Sequence, residues 1–156
     1  VTLDGVWKFL HLFFSFSFVG TLVLADWNGR ALRASRDWAQ RAMLLEIVHL
    51  STRTAGLGSL VLLGVFGNLV SMSLGYKMAD DVWLRWVNGL WLPAVLITAF
   101  WNLPALTRLR AIAKVANGTD VVPEFDAGIR RWRLGNAVIS LLYLALLVLM
   151  VFRWRS

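Results

Sequence analysis

The sequence predicts an all-α fold, a membrane-spanning four-helix bundle with amphipathic helices in its cytoplasmic loops. Three observations predict it. Hydrophobic residues make up 58% of the chain and the mean hydropathy is +0.65, beyond what an ordinary soluble domain carries. Four apolar runs of about twenty residues are each long enough to cross a hydrocarbon layer of about 30 Å at about 1.5 Å per residue. Tryptophans gather at the ends of those runs, where an indole buries its ring and keeps its N–H wet.

The first run is Val6 to Ala25, the second Thr54 to Ser73, the third Trp83 to Asn102 and the fourth Leu134 to Phe152. Together they use roughly half of the 156 residues, so a single transmembrane domain over 1–156 is expected. The charges that intrude, Lys8 and Arg85, lie near span ends and can snorkel to the headgroups. Trp7, Trp27, Trp83, Trp86, Trp101, Trp132 and Trp154 mark the boundaries, while Trp91 falls inside a run and Trp38 in the first long loop. The first run has no small-residue cleavage site and is long enough to remain as a span, so no cleavable signal is evident.

Basic residues set the expected orientation. Arg30, Arg33, Arg36, Arg41 and Arg53 follow the first span, and Arg108, Arg110, Lys114, Arg130, Arg131 and Arg133 follow the third. Against these eleven stand five on the other side: Lys8, Lys77, Arg85, Arg153 and Arg155. The positive-inside rule puts both long loops in the cytoplasm of a bacterial inner membrane and both termini in the periplasm. The net charge of +7 is accounted for by that interface with anionic headgroups, and no nucleic-acid partner is expected.

The first long loop has structure of its own. Arg36 to Leu50 interleaves Trp38, Ala42, Leu45 and Val48 with Asp37, Gln40, Arg41 and Glu46 at helical spacing. This predicts an amphipathic helix on the membrane or an extension of the second span. Leu106 to Ala116 is similar, with Asn117 and Gly118 as a helix stop and Thr119 to Asp126 as an irregular crossing around Pro123. Within the second span, Gly64 precedes a small residue at every fourth position, Gly67, Ser71 and Gly75, which lets helix backbones approach closely in lipid. Asn68 beside that row needs a partner inside protein. Pro93 is expected to kink the third span, and Asn102 with Pro104 to close it. Asn136 and Ser140 give the fourth span a polar seam.

Candidate chemistry is sparse. Cysteine is absent, which excludes disulfides and thiolate sites, and no hydrolase constellation or phosphate-binding glycine loop occurs. His11 lies inside the first span with Ser15 on the same face. An ionisable ring at that depth is either a haem ligand or an interhelical hydrogen-bond partner, for example of Asn88 or Ser140. His49, flanked by Glu46 and Arg53, reads as an exposed polar cluster at the inner interface. It shares a helical spacing with half of a di-iron site, but the spans supply no further carboxylates. His11 lies about 21 Å from the inner end of its span, so the two histidines cannot share one haem in a single chain. Met43, Met72, Met78 and Met150 are too scattered to make a soft-metal site.

The run Trp7-Lys8-Phe9-Leu10-His11, with Val19-Gly20 beyond it, resembles the opening helix of several small bacterial membrane families. These are the copper-resistance-D-like proteins, the HemJ-type protoporphyrinogen oxidases and an uncharacterised family of four-helix integral membrane proteins. The last is most similar, through Thr54 to Gly67 and Trp91 to Leu109 as well. Resemblance to the HemJ type implies a haem b ligand at His11. The chain departs from that type over Thr21 to Asn28, which lacks the proline, arginine and later histidine expected there. With no self-sufficient active site, the chain is expected to be an accessory or assembly subunit of a larger respiratory or photosynthetic complex. Its partners would be the bilayer and other membrane subunits. The alternative is a haem-binding redox protein or oxidase using His11.

Overall fold

A computed structural model describes residues 2–116 and 122–152. Four long helices occupy nearly all of them: α1 (Leu3–Ala34), α2 (Trp38–Ser73), α3 (Val82–Val115) and α4 (Pro123–Phe152). Each is long and apolar enough to cross a membrane, and the chain is a multi-pass helical membrane protein. They contain 32, 36, 34 and 30 residues, or about 45 to 54 Å at the standard rise. That exceeds the hydrocarbon thickness. The excess lies at one end, the end that carries the eleven basic residues, beyond the apolar run of every helix.

The two amphipathic segments are therefore not separate loop helices. Each is a straight-through continuation of a span, joined to it by a single turn of π-helix, Thr52–Gly56 in α2 and Thr98–Asn102 in α3. The second joint corrects the expectation that Asn102 and Pro104 end the third span. Pro104 has no N–H for the Phe100 carbonyl, and its ring would crowd that turn. Widening the preceding turn accommodates the misfit without stopping the helix.

Short connections hold neighbours antiparallel. Asp37 caps α2, its carboxylate accepting from the N–H groups of Ala39 and Gln40 at 3.1 and 3.2 Å. At the far end of α2, Gly75 takes φ 82°, while Tyr76 N–H bonds Ser71 O and Gly75 N–H bonds Met72 O, each at 3.0 Å. This is the glycine-terminated helix end that side-chain-bearing residues adopt poorly. A Cβ built on Gly75 would meet nothing within 4 Å, so Gly75 ends the helix rather than packing it. Pro123 opens α4, with Glu124 and Asp126 in its first turn. The crossing expected over Thr119 to Asp126 is thus helical from Pro123 onward. Residues 117–121, including the Asn117–Gly118 stop, and Arg153, Trp154 and Arg155 lie outside the described residues.

Two cores lie end to end. Within the apolar half, Phe18, Leu60, Leu63, Val87, Ala94, Ile139, Tyr143 and Leu146 pack together. At the basic end, Leu32, Trp38, Leu45, Val48, Leu106, Leu109, Phe125 and Trp132 form the other. Trp132 is fully buried beside Gly29, where a Cβ would sit 3.3 Å from its ring. It is a core residue of the overhang and not the interfacial marker that its position in the sequence predicts. Trp38 meets Phe125 edge-on at 4.9 Å, and Arg41 stacks over Trp38 at 4.5 Å.

Candidate functional site

Between the apolar halves of α2 and α3, which touch only sparsely, lies a cavity of about 170 Å³. Its walls come from α1, α2 and α3 and from the end of α4. His11 is the only residue of α1 on it, and Gly64, Gly67, Asn68 and Ser71 of α2 line it together with Asn88 and Trp91 of α3.

His11 reaches the wall because α2 offers no side chain in its path. A Cβ at Gly67 would approach His11 Cε1 to 2.9 Å, so the imidazole can lie against α2 in this position only with glycine there. The Nδ1 atom lies 2.9 Å from the carbonyl oxygen of Leu63. A carbonyl only accepts, so Nδ1 carries the proton and, in the neutral ring, Nε2 carries the lone pair. His11 thus pairs with backbone rather than with Asn88 or Ser140. Nε2 has no hydrogen-bond partner among the described residues.

Gly64 makes room in the same way for Trp91, whose indole lies where a Cβ would stand. Trp91 Nε1–H donates to Leu60 O at 2.7 Å, which pins the ring across the α2–α3 interface. Asn68 and Asn88 exchange hydrogen bonds through their side-chain amides at 2.9 and 3.2 Å. Their second N–H groups donate to Gly64 O and Leu84 O, each at 2.9 Å. Ser71 is buried and donates to Gly67 O at 3.0 Å. Ser15, one turn from His11, is hydrogen-bonded to the Tyr143 hydroxyl of α4 instead of joining the cavity. At the basic end of the span, Asn102 in the π turn of α3 donates to Asn136 of α4 at 2.7 Å. Asn102 Oδ1 lies where a Cβ on Gly135 would stand.

The side chain of His11 is arranged as a metal-ligating histidine commonly is, with one ring N–H given to a backbone carbonyl. The space beside it is not that of a haem. About 170 Å³ is close to the roughly 150 Å³ that holds a benzene and below the roughly 300 Å³ at which small-molecule pockets begin. A tetrapyrrole does not fit there. Among the described residues no group of three or more His, Cys, Asp or Glu side chains is placed to hold a metal ion.

His49 belongs to a separate cluster at the basic end, where α2 faces α3. Arg110 donates to His49 Nδ1 at 2.9 Å and pairs with Glu46 Oε2, through Nε at 2.8 Å and through its terminal nitrogen at 2.5 Å. Thr107 Oγ1 lies 3.3 Å from His49 Nε2 and gives its own proton to Leu103 O at 3.0 Å. The guanidinium can only donate, so His49 Nδ1 accepts and Nε2 carries the proton. This site lies outside the apolar run beginning at Thr54. Burial lowers the pKa of His49, the Arg110 charge lowers it further, Glu46 opposes them and Arg53 adds a smaller lowering. The partners across the interface, Arg110 and Thr107, were not evident from the flanking Glu46 and Arg53. A second cavity, of about 490 Å³, lies between α3 and α4, with Arg108, Glu124 and Arg131 at its polar edge.

The missed pairings carry a simple signal. In two antiparallel helices joined by a short loop, residues equally far from the loop lie at equal depth. His11 and Leu63 are balanced about the turn at 35–37, Asn68 and Asn88 about the loop at 74–81, and Asn102 and Asn136 about 116–122. No family model, curated protein or solved structure matches this chain.

Proposed function

We propose that the chain is an accessory or assembly subunit of a larger respiratory or photosynthetic complex in a bacterial inner membrane. The observation that carries this reading is a pair of glycine notches on the outer surface. A Cβ at Gly20 or at Gly89 would meet nothing within 4 Å. On α1, Gly20 interrupts an exposed series, Phe9, Phe13, Phe16, Val23 and Trp27, that follows a repeat of four and three residues. On α3, Gly89 stands between exposed Trp86 and exposed Leu96 and Phe100 in the same rhythm. Large side chains on either side of a small one offer a neighbouring transmembrane helix a seat where backbones come close.

The polar groups of the spans support the same reading. Asn68 with Asn88, Ser15 with Tyr143, and Asn102 with Asn136 are used to join helices of this chain. Eleven basic residues on the overhanging end against five on the other favour a cytoplasmic overhang and periplasmic termini.

The test is purification from the native membrane in mild detergent, followed by native mass analysis. Wild type is expected to leave the membrane with at least one further subunit. Gly20→Leu with Gly89→Leu is expected to release that subunit while thermal stability is unchanged. A partner-free monomer from wild-type membranes would refute the reading.

A further inference from the structure

We propose that the cavity beside His11 binds a hydroxylated aromatic ring, a phenol or hydroquinone arriving from the lipid phase, in preference to the quinone or ether of the same size. The proposal goes beyond an accessory role and does not rest on it.

Volume sets the first limit. About 170 Å³ holds one six-membered ring with small substituents. The cavity is partly open to the surroundings of the bundle, and its lining is chiefly apolar and aromatic, which suits a ring that partitions into lipid.

Polarity sets the second limit, by counting hydrogens. His11 has given its Nδ1–H to Leu63 O. Asn68 and Asn88 have each given both amide hydrogens, one to the other and one to a backbone carbonyl. Ser71 and Trp91 have given theirs to Gly67 O and Leu60 O. What these side chains retain toward a ligand is lone pairs: Nε2 of His11 and the remaining acceptor capacity of the two amide oxygens and the Ser71 hydroxyl. The Tyr76 hydroxyl and the Trp83 indole N–H bring donors to the loop end of the lining, where the two rings meet edge to face at 5.3 Å. At the His11 end the wall offers acceptors, and there it favours a ligand that brings its own donor. A hydroquinone hydroxyl supplies one, whereas a quinone carbonyl or an aryl ether places a further acceptor against acceptors, which leaves both unpaired in a low-dielectric site.

The experiment uses the full chain in detergent micelles, labelled with ¹⁵N at histidine, and titrates in methylhydroquinone under anaerobic conditions. Its quinone and its dimethyl ether are the comparison probes. Saturable binding is expected to move the Nε2 resonance of His11 and leave both resonances of His49 in place. The quinone and the ether are expected to bind about tenfold more weakly or worse, the factor one lost hydrogen bond supplies. His11→Phe, which keeps a ring and removes the acceptor, is expected to lower hydroquinone affinity by a similar factor with helicity retained. If that variant does not fold, the wild-type His11 resonance decides alone. Equal affinity for all three probes, or saturable binding that leaves His11 Nε2 unmoved, overturns the proposal. Absence of saturable binding also overturns it and leaves the cavity as a site for water only.

Discussion

Arg110 of α3 donates a hydrogen bond to Nδ1 of His49 on α2 across 2.9 Å, so the proton of the neutral His49 ring is held on Nε2, toward Thr107. In His11 the assignment is reversed, because Nδ1 faces the Leu63 carbonyl. The protein has only these two histidines, and they are expected to be opposite tautomers. Nitrogen shifts of histidine-labelled protein near neutral pH check this directly. Two rings with the same protonated nitrogen would contradict one of the two hydrogen-bond assignments.

Stability is expected to depend on His49 in mildly acidic solution. Its folded pKa lies below the ordinary 6.5, so between the two values the unfolded chain binds a proton that the folded chain does not. The contribution is complete above about pH 6.5, declines as pH falls through the window, and levels off below the folded pKa. Thermal melts from pH 8 to pH 5 are expected to show this loss in wild type. His49→Gln, which keeps an acceptor for Arg110 and does not titrate, is expected to flatten that part of the profile.

Gly58 and Gly64 lie six residues apart in α2 and meet different surroundings. Gly64→Ala would drive a Cβ into the Trp91 indole, which its hydrogen bond to Leu60 holds in place. The expected loss is about 1–3 kcal/mol, the usual cost of overpacking. Gly58→Ala meets nothing within 4 Å, and its melting temperature is expected to be unchanged or slightly raised. Equal melting temperatures for the two variants would contradict the close α2–α3 approach at Trp91.

Asn68 and Asn88 offer a double-mutant cycle. Asn88→Leu strands the Asn68 side chain in the apolar half and is expected to cost about 1 kcal/mol, within the range of interhelical hydrogen bonds in membrane proteins. Replacing both with Leu removes the stranded group and is expected to recover part of that loss. Strict additivity would show that the two amides do not act as a pair. Chemical denaturation in detergent is the measurement.

Much of this architecture was legible in the sequence, because span length and interfacial aromatics report directly on the bilayer. The end of α2 falls at Ser73, where the second apolar run ends. The helix ends on the basic side were not legible in the same way. Hydropathy falls at Ala25 and Asn102, while the hydrogen-bond ladder continues because the overhanging halves bury Leu32, Trp38, Leu106 and Trp132 against one another. Pro104 reads as a stop in the sequence, since a proline usually is one; a π turn supplies the alternative. His11 stood out by its chemistry alone, but its actual partner is a backbone carbonyl, which no side-chain pattern encodes.

The π turns at Thr52–Gly56 and Thr98–Asn102 have a consequence for how the chain tolerates changes in length. Each holds one residue more than an α-helical turn would use. Because that extra residue is taken up within the turn, deleting a single residue from either segment would restore a continuous α-helix with both halves keeping their present faces. Deleting one within an α-helical half would instead turn one end of the helix against the other by about 100°, and Trp38 and Val48, or Leu106 and Leu109, would swing off the faces they now fill. Descendants of this sequence should therefore accept single-residue changes of length at the two joints and in the loop at 74–81 far more readily than within the α-helical halves.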